Sequence, residues 1–226
     1  MTMIRSVLFD FNGVILDDES VHRDLFAEVL APHGVPLSLE DYDSLYLGMD
    51  DRGCLSAVWE SQRGTPIPET TLLELVAAKA RLYEKRMEEG LPLYEGAQAL
   101  IRDLARRVPL GIVSGALRPE ILHALDSHGL REHFAFVISA EDTRHGKPDP
   151  EGYRMAHRTL ALRGLATGPP SEIAVIEDSV QGIEAARGAG MKTVGVGHTY
   201  ALPKLREADR VVPHIRLLTP EMVLSL

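Results

Sequence analysis

The chain has 226 residues, 24 of them Lys or Arg and 33 Asp or Glu, for a formal charge of −9; 45% are apolar and 25% charged. That is ordinary globular composition, enough for one compact domain with a modest insertion, and its acidic balance argues against nucleic acid or an anionic membrane as a partner. The single cysteine, Cys54, excludes an intrachain disulfide framework and a multi-cysteine zinc site and fits a reducing compartment.

Val7-Leu8-Phe9 reads as the first strand. It is too short for a secretory apolar region, and no run approaches the roughly 18 apolar residues of a membrane span. A cytoplasmic protein is therefore expected, with a monomer as the default state. Beyond this strand the signs are helical. Val21, Leu25, Phe26, Val29 and Leu30 share a face. Ser38 precedes Leu39-Glu40-Asp41 as a helix start, and Thr71 with Glu74 forms a capping-box pattern before an amphipathic run to Met87. Pro32, Pro36, Pro66, Pro68 and Pro92 punctuate this stretch. It reads as an all-helical cap domain over residues 16–90, inserted into a core made of residues 1–15 and 91–226. An insertion directly after the first strand emerges at the C-terminal edge of the sheet, where α/β proteins bind ligands.

Further on, Ala97, Leu100, Ile101, Leu104 and Ala105 form a helical stripe before a strand at Leu110 to Val113. A helix with Ile121, Leu122 and Leu125 follows, with Pro119 suited to its first turn. Strands then fall at Phe136-Val137-Ile138, Ile173 to Ile176, Thr193 to Val196 and Val211-Val212, with a helix from Val180 to Ala189 ending at Gly190. Near-continuous apolarity in the strands indicates cover on both faces, hence a parallel sheet. The expected fold is a doubly wound, Rossmann-like α/β core with a small helical cap.

The strand ends carry the chemistry. Asp10 closes the first strand, Ser114 the second, and Glu177 with Asp178 the fourth; Gly146-Lys147-Pro148 follows the third. In a parallel sheet these points share one edge. Three carboxylates gathered there repel one another unless a cation is present, and oxygen ligands suit Mg²⁺. Ser114 and the Gly115 amide suit an anion, and Lys147 adds a compact positive charge. A carboxylate nucleophile, a hard cation and phosphate donors together describe phosphoryl transfer through an aspartyl-phosphate.

Asp10-Phe11-Asn12-Gly13-Val14, Ser114, Lys147 in Gly-Lys-Pro-Asp-Pro, and Glu177-Asp178-Ser179-Val180-Gln181-Gly182-Ile183 resemble, in order and spacing, the four signature motifs of the haloacid dehalogenase superfamily. Gly188-Ala189-Gly190-Met191 is also similar to that family. The insertion resembles the cap of its β-phosphoglucomutase and phosphoglycolate phosphatase group. The resemblance implies a Mg²⁺-dependent hydrolase of a small phosphorylated metabolite, sugar phosphates included. It makes Asp10 the nucleophile and a metal ligand, Asp178 a second ligand with Glu177 close by, and the residue-12 carbonyl a third. Ser114, Gly115 and Lys147 would hold the phosphoryl group.

One departure matters. The family's phosphatases usually carry a second aspartate where this chain has Asn12, and that aspartate handles the proton of the leaving oxygen. An amide cannot, and losing such help typically costs ~10²–10⁴ in rate. A mutase-like phosphotransferase and a weakly active phosphate-ligand-binding protein are the alternatives. Dehalogenation fits less well, because family dehalogenases need no metal and the Glu177-Asp178 pair resembles the Mg²⁺-dependent pattern. In the cap, the resemblance points to His22, after Asp17-Asp18-Glu19, and to Lys79 and Tyr83, one helical turn apart; Arg52 could meet a distal phosphate or carboxylate. Hinges are expected near residues 16 and 91. Gly195-Val196-Gly197 lacks the third glycine of a dinucleotide fingerprint, the nine histidines show no zinc spacing, and the pairs Asp50-Asp51 and Glu88-Glu89 read as solvated charges.

Overall fold

A computed structural model describes residues 3–47 and 49–226. The chain divides into two compact units, Met1–Asp17 with Pro92–Leu226, and Asp18–Leu91. In the first, all strand pairings are parallel: β1 (Ser6–Phe9), β2 (Leu110–Val113), β3 (Phe134–Ile138), β4 (Ile173–Glu177), β5 (Lys192–Val196) and β6 (Arg210–Val212) lie in the order β3-β2-β1-β4-β5-β6. All six expected strands are present. Every residue of β1, β2 and β4 is buried, as two-sided cover requires. Helix Glu151–Leu162, which the sequence reading did not single out, packs on β2 and β3, and helix Val180–Gly188 packs on β4 and β5. Leu8, Val175, Tyr153 and Leu160 are among the buried side chains of this core. Each such aliphatic side chain contributes about 1.5–3 kcal/mol through burial.

The edge strand β3 departs from continuous burial and alternates, with Ala135 and Val137 only partly buried, as expected where one face is less covered than the other. Two of its carbonyls are covered by guanidinium groups: Arg118 donates to the Val137 oxygen and Arg163 to the Ala135 oxygen. Such cover discourages strand addition. Strand order runs outward in opposite directions from β1 and β4, so the switch point lies between them.

The chain leaves this unit after Asp17 and returns at Pro92, where the Asp17 amide donates to the Pro92 carbonyl at 2.9 Å. The second unit is helical: Glu19–Leu30, Leu39–Asp41 continuing as a wider turn over Tyr42–Tyr46, Asp51–Arg63 and Glu69–Glu89. Phe26, Leu30, Tyr42, Leu55, Val58 and Leu72 are among its buried core residues. Ser38 caps its helix as expected, accepting from the Asp41 amide at 3.0 Å. Two expectations are corrected. The last helix starts at Glu69 behind Pro68, so Thr71 and Glu74 lie inside it: proline pre-sets the φ angle of the helix entry and overrides the capping-box pattern. Asp50 is exposed, as a solvated charge should be, but both members of the Asp50-Asp51 pair are also engaged. Asp50 caps helix Asp51–Arg63 by accepting from the Gly53 amide at 2.8 Å, and Asp51 pairs with a buried lysine. Among the described residues, no helix is long and apolar enough to cross a membrane.

Candidate active site

Asp10 follows β1, and its amide extends the ladder to the Ile176 carbonyl at 3.0 Å, so the neighbouring strand fixes where its side chain begins. Glu177 closes β4, and Asp178 follows it. All three residues are buried, and one carboxylate oxygen from each lies within 4.8 Å of the others. Lys147 bridges two of them: its Nζ is 2.5 Å from Asp10 Oδ1 and also donates to Glu177 Oε1. Three carboxylates against one ammonium leave excess negative charge in a buried place, where charge is costly.

The titrations reflect that crowding. Burial pushes the Asp10 carboxyl up to about 6; Lys147 opposes the rise and Glu177 adds to it. Asp178 is held well above the usual carboxylate range, by burial first and by the charges of Glu177 and Asp10 after it. Burial works against the Lys147 ammonium, but the Asp10 and Glu177 carboxylates outweigh it and raise its pKa.

Glu177 is heavily satisfied. Its Oε1 also accepts from the Tyr153 hydroxyl at 2.8 Å, and its Oε2 accepts from the amides of Asp178 and Ser179 at 3.1 and 3.2 Å and from Ser179 Oγ at 2.9 Å. This pattern suits a group that organises the site more than one that reacts. Two glycines permit the close packing. A Cβ on Gly182 would lie 1.9 Å from Glu177 Oε1; one on Gly13, where φ is +73°, would lie 2.1 Å from Asp178 Oδ2.

Ser114, whose amide donates to the Ile138 carbonyl at 3.0 Å, lies just past β2. It lines a small cavity of about 40 Å³ together with Gly115, Thr143, Lys147 and Tyr153. Asn12 forms an isolated bridge with Leu16 in the turn after Asp10. The core residues singled out from sequence thus gather at the C-terminal edge of the sheet.

Two further residues of this edge escaped the sequence reading. Thr199 donates from Oγ1 to Asp178 Oδ2, and His198 bridges two backbone groups, its Nδ1 2.7 Å from the Gly13 carbonyl and its Nε2 accepting from the Ile215 amide at 3.0 Å. Burial lowers the His198 pKa to about 4. Their signal was positional: both follow the end of β5, at the same edge as the other strand ends.

Within the helical unit, Lys79 is buried and not solvated; its Nζ contacts Asp51 Oδ1 at 2.6 Å and His22 Nδ1 at 2.8 Å, and sits over the Phe26 ring. An ammonium can only donate, so His22 Nδ1 accepts. His22 Nε2 then faces Asp18 Oδ2 at 3.2 Å, and the Tyr83 hydroxyl donates to the same oxygen at 2.9 Å. Arg52 stands outside this network, exposed and paired with Glu69 at 2.7 Å.

The profile of the haloacid dehalogenase-like hydrolases matches residues 4–190. The chain is similar to validoxylamine A 7'-phosphate phosphatase of Streptomyces hygroscopicus subsp. limoneus, 34% identical over 211 residues that cover 92% of each chain. It is also similar to a phosphorylated carbohydrates phosphatase of Thermotoga maritima, 26% identical over 225 residues that cover 99% of this chain and 98% of the relative. Among solved structures, CbbY from Rhodobacter sphaeroides in complex with phosphate superposes with a TM-score of 0.77 at 27% identity, over 99% of this chain and 100% of that one.

Proposed function

Because the chain belongs to the haloacid dehalogenase-like hydrolases, we propose that it is a Mg²⁺-dependent phosphatase of a small, sugar-like phosphorylated metabolite, working through an aspartyl-phosphate at Asp10. The observation that carries this reading is the buried cluster of Asp10, Glu177 and Asp178 bridged by Lys147. Its donors are all oxygens, as a hard cation requires, and its surplus negative charge needs compensation. Mg²⁺ fits, with Asp10, Asp178 and the Asn12 backbone carbonyl as candidate ligands and Glu177 beside them. When bound, the ion supplies neutralisation of charge on the phosphoryl oxygens.

The chain's own residues do the rest. An Asp10 carboxylate oxygen attacks phosphorus, the bond from phosphorus to the substrate oxygen breaks, that oxygen leaves as the alcohol by taking a proton from water, and an acyl phosphate forms. Water then attacks the same phosphorus, which restores the carboxylate and releases inorganic phosphate. Lys147, with Ser114 and the Gly115 amide around the same cavity, receives charge that builds on the transferring group. The relatives named for carbohydrate and validoxylamine phosphates support a sugar-like substrate. The helical unit takes the role of a cap that selects it, with His22 and Lys79 as the substrate-side candidates and Arg52 for a distal anionic group.

Asn12 favours a second reading. Without a carboxyl to protonate the leaving oxygen, the site could bind a phosphorylated ligand and turn over slowly, or pass the phosphoryl group to a second hydroxyl as a mutase does. A panel of phosphate monoesters, assayed with Mg²⁺ and after chelation, separates these. Hydrolysis that requires the metal and vanishes in Asp10→Ala is expected. Phosphate release that survives both changes overturns the proposal, and tight ligand binding without release selects the second reading.

A further inference from the structure

We propose that the loop after β5 is a positioning element for the acidic site, in which Thr199 fixes the Asp178 carboxylate and His198 fixes the turn that carries Asn12 and Gly13. The inference rests on the reading of Asp178 as a Mg²⁺ ligand and adds residues that lie outside the four motifs. Asp178 Oδ2 has two close neighbours: the Thr199 hydroxyl, and Gly13, so near that a Cβ there would lie 2.1 Å away. A carboxylate held in this way has one oxygen committed before any ligand arrives, and pre-orientation of this kind is what outer partners of metal ligands provide.

His198 secures the Gly13 side of this contact. The Ile215 amide can only donate, so Nε2 accepts and the ring proton sits on Nδ1, from which it is given to the Gly13 carbonyl. Tyr94 stacks on the ring at a centroid distance of 3.8 Å, and His214 meets it edge-on at 4.5 Å. One short loop therefore holds the turn after β1 with His198 and the residue after β4 with Thr199. A loop that merely closed the fold would affect stability and leave metal affinity alone.

Mg²⁺ titration of the full-length protein by calorimetry, paired with the Mg²⁺ dependence of phosphatase activity, tests this. Thr199→Val keeps the shape and removes the donor; a loss of about 10–100-fold in Mg²⁺ affinity is expected, with most of kcat restored at saturating metal. Thr199→Ser keeps the hydroxyl and is expected to bind within about threefold of the unmodified protein, so it reports even if the valine variant folds poorly. Unmodified protein that binds Mg²⁺ alongside a Thr199→Val variant that binds it equally well overturns the inference and leaves the proposed function standing. Unmodified protein that binds no Mg²⁺ overturns both.

Discussion

His198 makes the stability of this protein acid-sensitive in a way that can be isolated. Its ring is half-buried, flanked by Tyr94 and His214, and donates to the Gly13 carbonyl. Burial is the main reason its pKa falls from 6.5 to about 4; the Gly13 carbonyl opposes the fall and His214 adds to it. The unfolded chain therefore takes up this proton before the folded chain does. The stabilisation is complete above pH 6.5 and is lost progressively as the pH drops through that value towards 4. At roughly 1.4 kcal/mol for each tenfold change in proton affinity, the full loss is about 3 kcal/mol, an upper bound because a half-buried ring is partly screened.

The raw profile is a composite, since Asp10 and Asp178 titrate with the opposite sign: their raised pKa values favour protonation in the folded state. The comparison that isolates His198 is urea unfolding of the parent protein and of His198→Asn, whose amide can still donate to the Gly13 carbonyl, at pH 7 and near pH 4.5. The parent is expected to lose about 1–2 kcal/mol more than the variant over that interval once screening is allowed for, or about 0.5–1 M in urea midpoint for a typical slope. Equal losses would refute the claim that the ring is held neutral by its surroundings.

Two other substitutions probe the same edge of the sheet. Asn12→Asp supplies the missing carboxyl and should raise turnover of an alkyl phosphate by at least roughly tenfold, with a smaller gain on an aryl phosphate, whose leaving group needs less help; an unchanged rate would mean that another group already handles the proton. Gly13→Ala forces a side chain into φ +73° and against Asp178. It should cost at least ~1–2 kcal/mol in urea unfolding and weaken Mg²⁺ binding in the same protein, whereas a variant that matches the parent on both measures would show that the turn relaxes freely.

What could be read ahead of the coordinates follows from distance along the chain. The strands announce themselves because cover on both faces demands unbroken apolar runs, and a parallel sheet then sends Asp10, Ser114, Lys147, Glu177 and Asp178 to one edge whatever their separation. The position of Lys79 obeys no such rule. At its helical spacing a lysine reads as a surface charge, and its burial is made tolerable by Asp51 and His22, 28 and 57 residues away, together with the Phe26 ring. Thr71 and Glu74 mislead for the converse reason: their local pattern is sound, but Pro68 nearby already provides a helix entry. His198 and Thr199 fall between these cases. Their partners Gly13 and Asp178 are 185 and 21 residues distant, so no local pattern marks them. Yet they lie where the motifs lie, since the first polar residues beyond any parallel strand reach the same edge. A histidine and a threonine just after β5 were therefore within reach of the sequence, once the strand itself had been placed.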